Sequence, residues 1–213
     1  MCSKSFIEEL AKYEGASVFN PYADICDTYD KRNANKIRKR NLRRVIDSLS
    51  GKQIDAIWIG RDLGHRGGRR TGLALTDEAN LESASGVWQV KLELATNGRI
   101  CKERTAANIW SMLSRIDERI FMWNVFPFHP HEHGVEFSNR SHTTKERDVG
   151  LEILHELVGI LRPKKLVGIG NDAFNCAVRI FDDRDVYKVR HPSYGGEKVF
   201  IRQMRELYPA AVS

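Results

Sequence analysis

Residues 54–72 read IDAIWIGRDLGHRGGRRTG, a short apolar run that passes directly into a glycine-rich basic loop. The run 54–59 is rich in isoleucine and has the length of a buried strand. Two similar runs cover 120–123 and 166–169, and a less apolar one covers 186–189. We predict that these four runs are strands, with 186–189 nearer an edge of the sheet.

Amphipathic stretches separate the predicted strands. Apolar residues recur at helical spacing over 37–49, 109–116 and 151–161, which predicts three helices. A capping box begins at Thr143, before the third of them, and Asn171 is expected to cap a further helix. The alternation predicts an α/β protein, a three-layer α/β/α sandwich with a central, mostly parallel four-stranded sheet.

Length and charge narrow the class of protein. The chain has 213 residues, and without repeats or a linker we predict a single domain over 1–213. Thirty-four Lys and Arg against 28 Asp and Glu give a net charge of +6. This charge favours a polyanionic partner such as DNA and is too small for a DNA-packaging protein.

The sequence also predicts where the protein resides. No run approaches the roughly 20 apolar residues of a membrane span, and charged residues interrupt the first thirty positions. The four cysteines are far apart and form no C-x-x-C pair, as expected of free thiols in a reducing compartment. We expect a cytoplasmic, nucleoid-associated protein with no membrane contact.

Ligands of parallel sheets bind at the carboxyl ends of the strands, so the loops after the strands carry the candidate site. The first loop holds the carboxylate of Asp62 among arginines and lacks the residue order of a P-loop or a dinucleotide fold. Two interpretations stay open from these residues alone. The loop is a basic surface turn in which Asp62 pairs with an arginine, or a ligand site that glycines let the backbone approach.

Two other loops begin with polar side chains. Asn124 follows the second strand, and its amide matches the O4 and N3–H edge of uracil and mismatches cytosine, although asparagine at a strand end is also a common turn former. His191 follows the fourth strand, fixed by Pro192 and followed by the hydroxyl of Ser193. Taken alone, His191 is interpreted as a structural histidine.

Together and in this order, the motifs resemble those of the uracil-DNA glycosylase superfamily. Residues 60–65, GRDLGH, are similar to its water-activating G-Q-D-P-Y-H segment, and 72–76 continue the match. Asn124 resembles its base-reading asparagine, 191–193 its H-P-S motif, and 170–171 its phosphate-contacting Gly-Ser loop. The resemblance spans roughly residues 54–205 and implies a four-stranded parallel sheet between helices.

The resemblance implies a DNA repair enzyme that flips uracil out of DNA and hydrolyses its N-glycosidic bond, leaving an abasic site. The resemblance also implies that Asp62 stabilises the sugar cation and activates water, and that His191 donates a hydrogen bond to the leaving base. We expect no metal or organic cofactor, no obligatory protein partner and a monomer acting on DNA. The implied substrate-binding residues are Gly60, Arg61, Gly64, His65, Leu75, Asn124 and Phe126, and the implied DNA contacts are Arg69, Arg70, Gly170, Asn171, Ser193 and Tyr194.

The sequence departs from the family pattern at three points. Gly64 replaces a tyrosine that blocks the thymine methyl, so the pocket is expected to admit C5-substituted bases. Leu75 replaces a phenylalanine that stacks on the flipped base, unless Phe126 or Phe128 takes that place, which predicts weaker stacking. The leucine wedge after the H-P-S motif is missing, and Tyr194 is the nearest replacement.

Competing interpretations remain. His129, His131 and His133 alternate as in a metal site, but Pro127 and Pro130 disfavour the strand that a metal-dependent hydrolase would need there. Residues 31–44 contain eight basic residues and no acid, which indicates a solvated helix face rather than a DNA site. A non-catalytic DNA or modified-base binder on the same fold is the second functional class, and it would not require both Asp62 and His191.

Overall fold

The computed structural model describes residues 2–209. The strands are β1 Val18–Phe19, β2 Ile54–Asp62, β3 Ile120–Phe126, β4 His129–Pro130, β5 Pro163–Ile169 and β6 Val186–Val189. Strands β2, β3, β5 and β6 form one parallel sheet in the order β3-β2-β5-β6, and β1 pairs antiparallel with β4 in a separate ribbon. The predicted four-stranded sheet is confirmed, and all four strands are parallel.

Helices pack on this sheet and complete the predicted α/β/α fold. The helices are α1 Ser3–Leu10, α2 Ala34–Leu49, α3 Gly68–Thr71, α4 Leu81–Trp88, α5 Arg104–Leu113, α6 Thr144–Leu161, α7 Asn171–Ala177 and α8 Glu197–Leu207. Helix α6 packs against β3, α7 against β5 and β2, and α8 against β6. Within residues 2–209, no helix is both long and apolar enough to cross a membrane.

The core lies on both faces of the sheet, because helices cover both faces and the central strands are apolar throughout. Trp58 and Trp123 are 0% and 1% exposed, and Trp110 packs into the same core from α5. The indole N–H of Trp58 donates to the hydroxyl of Tyr208 at 2.8 Å. The four cysteines are free.

The boundaries of two strands correct the sequence prediction. Strand β2 continues to Asp62 and β3 to Phe126, because Gly60 pairs with Asn124 and Asp62 with Phe126 in parallel register. Asn124 therefore lies within a strand and not at the start of a loop.

Of the two helix caps predicted from the sequence, at α6 and at α7, the structure confirms only the first. The capping box at Thr143 is confirmed, since its side chain accepts from the backbone N–H of Glu146. The predicted Asn171 cap is wrong: Gly170 is the N-cap, and Asn171 is the first residue of α7.

Most basic side chains of the segment 31–44 pair with other groups of the same chain. Arg38 is fully buried against Asp30, and Arg40 and Arg44 both pair with Glu93. The segment is therefore neither a fully solvated face nor an open cationic surface.

Candidate active site

The carboxyl ends of the four parallel strands open into one cavity of about 660 Å³. Each strand or the loop that follows it contributes to the lining: Asp62 from β2, Asn124 from β3, Gly170 after β5 and His191 after β6. A carboxylate, an amide and an imidazole thus line the same cavity, at the edge where parallel sheets bind ligands.

Asp62 is the last residue of β2, and its side chain is only 6% exposed. Nε of Arg61 donates to Oδ2 at 2.7 Å, and Nδ1 of His142 donates to Oδ1 at 2.5 Å. The arginine pairing considered from the sequence is therefore present, but the carboxylate also lines the cavity. Each oxygen keeps a further lone pair with which to accept a hydrogen bond.

His142 was not found by sequence reasoning. It lies directly before the capping box of α6, and its side chain is 6% exposed. A helix that follows a parallel strand returns antiparallel to it, so the N-terminus of α6 lies at the carboxyl edge of the sheet. The capping box is thus the signal that could have placed His142 near Asp62.

Asn124 and Gly60 are neighbours on adjacent strands. Asn124 is 1% exposed, and its Oδ1 has no hydrogen-bond partner in the described chain. A Cβ atom at residue 60 would lie 2.5 Å from that oxygen and 2.9 Å from Cδ2 of Leu75. Gly60 therefore makes room for the amide. A buried acceptor without a partner is costly, so Oδ1 is suited to receive an N–H from a ligand.

Leu75 borders the same cavity with an unusual backbone conformation, φ +55°. Such a conformation in a non-glycine residue costs free energy and is found preferentially at binding sites. Phe126 and Phe128 are both 0% exposed and pack against Tyr13 instead. Neither aromatic side chain lines the cavity, so the expected substrate contact of Phe126 is wrong, and neither ring replaces Leu75.

His191 is held by the residue two positions later. The backbone N–H of Ser193 donates to Nδ1 at 3.2 Å, and the Ser193 hydroxyl lies 2.7 Å from the same nitrogen. Burial lowers the pKa of His191, and the positive charges of Arg61 and Arg190 lower it further. The lowered pKa favours the neutral imidazole near neutral pH. Because Nδ1 accepts from the Ser193 N–H, the proton is on Nε2, which leaves Nε2–H as a donor.

The rim of the cavity contains four residues that the sequence assigned to DNA. Gly170, Asn171, Ser193 and Tyr194 all line it. Tyr194 is 98% exposed, and its φ of +50° projects an aromatic side chain from a tight turn. The DNA contacts of these residues stay predictions.

Two other expected DNA contacts are interior residues. Arg69 is 1% exposed, with Nε donating to the hydroxyl of Tyr29. Arg70 pairs with Glu78 and lies over the Tyr29 ring. Both predictions are wrong because the guanidinium groups are used to join the glycine-rich loop to its neighbours.

Two predicted base contacts, His65 and Gly64, have surroundings that differ from those expected. His65 does not line the cavity, and its backbone N–H donates to Oδ1 of Asn139, which does. The space beside Gly64 is not empty as expected: a Cβ there would lie 3.0 Å from a carboxyl oxygen of Glu103.

The alternating histidines have separate partners. His129 is fully buried, with Nδ1 against Arg69 and Nε2 donating to the carbonyl of Ser138. Nδ1 of His131 lies beside the carbonyl oxygen of Glu132, and Nδ1 of His133 lies beside the hydroxyl of Ser17. Over residues 2–209, no three His, Cys, Asp or Glu side chains converge as metal ligands.

The fold and these strand-end residues define an α/β/α protein with a candidate base-binding cavity. The family model for the Uracil DNA glycosylase superfamily matches residues 49–200. The chain belongs to this superfamily of DNA glycosylases.

One solved structure shows the extent of the fold similarity. Wild-type SMUG2 from Pedobacter heparinus superposes with a TM-score of 0.68, covering 98% of this chain and 97% of that one at 12% identity. At this identity the likeness concerns the fold. No curated protein matches the chain.

Proposed function

We propose that the chain is a monofunctional DNA glycosylase acting in base excision repair. It flips uracil, or another deaminated or C5-modified base, out of DNA and hydrolyses the N-glycosidic bond to leave an abasic site. The observation that carries the proposal is that Asp62, Asn124 and His191 line one cavity from three different strand ends. We further propose that the protein acts in the cytoplasm on nucleoid DNA, as a monomer and without a cofactor.

The flipped base enters the cavity with its Watson–Crick edge toward Asn124. Base chemistry in a duplex requires extrusion, because the glycosidic bond is not accessible in the stack. Oδ1 of Asn124, which lacks a partner in the described chain, accepts from N3–H of uracil, and the amide N–H₂ donates to O4. Cytosine presents the reverse pattern at N3 and position 4 and is rejected.

Cleavage then separates charge between the sugar and the base. The N1–C1′ electron pair leaves with uracil, C1′ becomes cationic, and the Asp62 carboxylate stabilises that cation. Water adds to C1′ and gives up a proton to Asp62. Nε2–H of His191 donates to O2 of the uracil anion, and one such donor is typically worth roughly 2.7–4 kcal/mol.

Exposed cations and one exposed ring flank the cavity and suit a DNA backbone. Arg61, Arg66 and Arg190 are exposed and replace Arg69 and Arg70 as the proposed phosphate contacts. Tyr194 is proposed as the wedge that fills the gap left by the flipped base.

The test is base release under single-turnover conditions in excess EDTA. Duplexes carry uracil opposite guanine, a thymine–guanine mismatch, hypoxanthine, xanthine or a C5-modified pyrimidine. The parent should release uracil, and Asp62→Asn should be slower by about two orders of magnitude while still binding the DNA. Asp183→Asn, in an exposed turn outside the cavity, should match the parent.

Three outcomes would count against the proposal. Equal rates for Asp62→Asn and the parent would remove Asp62 from the chemistry. Activity that disappears in EDTA and returns with zinc or manganese would require a metal mechanism. Selective binding of a modified base without release by the parent would instead support the non-catalytic binder.

A further inference from the structure

Glu103 lines the same cavity as Asp62 and Asn124. It directly precedes α5, and its backbone N–H donates to Oδ2 of Asp77 at 2.6 Å. Asp77 is 1% exposed, and its other carboxylate oxygen accepts from Asn80. The backbone of Glu103 is therefore anchored by a buried carboxylate, which fixes where its side chain starts.

The carboxyl group of Glu103 occupies the space left by two glycines of the loop after β2. A Cβ atom at Gly64 would lie 3.0 Å from Oε1, and one at Gly67 would lie 2.0 Å from Oε2. The turn is closed by a hydrogen bond from Gly67 N–H to the Gly64 carbonyl at 3.2 Å. Any side chain at residue 67 would displace this carboxyl, so Gly67 is what allows Glu103 to occupy this place.

The carboxyl group is half-buried but has no fixed partner. Among residues 2–209, neither carboxyl oxygen of Glu103 has a hydrogen-bond partner. Burial raises the pKa of Glu103, and the nearby negative charge of Asp77 raises it further, against the opposing charge of Arg66. A carboxyl group in such a place both donates and accepts when it is neutral.

We propose that Glu103 is a specificity-determining residue, whose carboxyl hydrogen-bonds a polar substituent at position 5 of the flipped base and disfavours an apolar one. This inference rests on the proposed function, and it adds that position 5, which adjoins the C4–O4 carbonyl read by Asn124, lies beside Gly64. A hydroxymethyl group there pairs with the carboxyl. A methyl group at the same place separates the carboxyl from water and leaves it unpaired, which is costly.

The experiment compares two bases that differ by one hydroxyl, 5-hydroxymethyluracil and thymine, each opposite guanine in the same duplex. Single-turnover release is measured for the parent, Glu103→Gln, Glu103→Leu and Glu103→Ala, with thermal unfolding as the folding control. The readout is the ratio of the two rates, which cancels general losses of activity. Glu152→Leu, an exposed glutamate on α6 outside the cavity, is the matched control.

The parent and Glu152→Leu should share one ratio in favour of the hydroxymethyl base. Glu103→Gln keeps a donor and an acceptor and should retain that ratio within about threefold, whereas Glu103→Leu should lower it by at least about tenfold. Glu103→Ala should lower it as well, so the conclusion does not depend on the leucine variant folding. A ratio that is equal in the parent and in both apolar variants overturns the proposal.

A binding measurement separates this inference from the proposed function. The affinities of Asp62→Asn and of Asp62→Asn/Glu103→Leu for the same two DNAs are compared by fluorescence anisotropy. If the parent releases no base yet the affinity ratio depends on Glu103, the proposed chemistry fails and the role of Glu103 stands. If the parent releases uracil while neither ratio depends on Glu103, the role of Glu103 fails and the proposed function stands.

Discussion

Replacing Gly60 with alanine should disable the site while leaving the protein folded. An added Cβ would lie 2.5 Å from Oδ1 of Asn124, and ordinary contact begins near 3.4 Å. The amide must therefore retreat by about 0.9 Å. Cδ2 of Leu75 would also lie close to the added Cβ, at 2.9 Å, but moving the Leu75 side chain does not relieve the contact with Asn124.

The expected loss follows from that displacement. Misplacing a positioned group by about 1 Å costs on the order of a hundredfold in rate, or about 2.7 kcal/mol in barrier. Overpacking of this kind typically costs roughly 1–3 kcal/mol in the free energy of unfolding, less than the roughly 5–15 kcal/mol of a typical domain. The rate of uracil release should therefore fall about a hundredfold in a protein that is still folded.

The assay is single-turnover release of uracil, with denaturant unfolding measured on the same samples. Gly86→Ala is the matched control, because it lies in α4 with no atom within 4 Å of the added Cβ, and its rate should stay within about twofold of the parent's. If Gly60 acts through Asn124, adding Gly60→Ala to Asn124→Ala should cost less than about threefold more. A further hundredfold loss in that background, or a parental rate in Gly60→Ala alone, would refute the reasoning.

The remaining predictions concern other contacts. His142→Ala removes the donor 2.5 Å from Oδ1 of Asp62 and should slow uracil release about tenfold without weakening DNA binding. His155→Ala, at an exposed position on α6, should leave the rate of release unchanged. Equal rates for the two variants would contradict a positioning role for His142. Tyr194→Ala should slow release from duplex DNA about tenfold more than from single strands, where no stack has to be opened, and equal losses would remove it as the wedge. Burial, together with the charge of Arg69, lowers the pKa of His129 from its ordinary value near 6.5 to about 3. Between these two pH values the unfolded state binds more protons than the folded state, so the free energy of unfolding decreases as the pH falls. From pH 7 to 5 the parent should lose about 2 kcal/mol more than His129→Gln in denaturant unfolding, and identical losses would show that His129 does not titrate this way.

Most of the sheet could be predicted because its strands are apolar on both faces and bounded by loop residues. The starts of β2 and β3 agree with the sequence pattern, but their ends do not, since Asp62 and Asn124 are polar residues within strands. Their strand conformation is determined by pairing with neighbouring strands, which local sequence does not encode. Helix α1 was missed for a related reason: its packing against α2 and α6 is long-range.

The site could be predicted only where its residues lie at the carboxyl ends of strands. Asp62 ends β2, Asn124 lies two residues before the end of β3, and His191 lies two residues after β6, so the topology alone brings them to one edge. Arg69 and Arg70 are DNA contacts only in what the family resemblance implies. Arg69 instead stacks on Phe19, and Arg70 pairs with Glu78, partners that lie in other segments of the chain.

The glycine-rich loop also depends on side chains from other segments of the chain. One of the two interpretations left open by the sequence takes its glycines as positions where the backbone approaches a ligand. A Cβ at Gly60, near the end of β2, would instead meet Asn124, and a Cβ at Gly64 or Gly67 in the loop would meet Glu103. The missing side chains thus make room for polar groups that arrive from β3 and from the start of α5. Those two groups then line the cavity, so the loop shapes the ligand's surroundings indirectly. A substitution in this loop is therefore expected to change specificity through Asn124 or Glu103 before it touches a bound base.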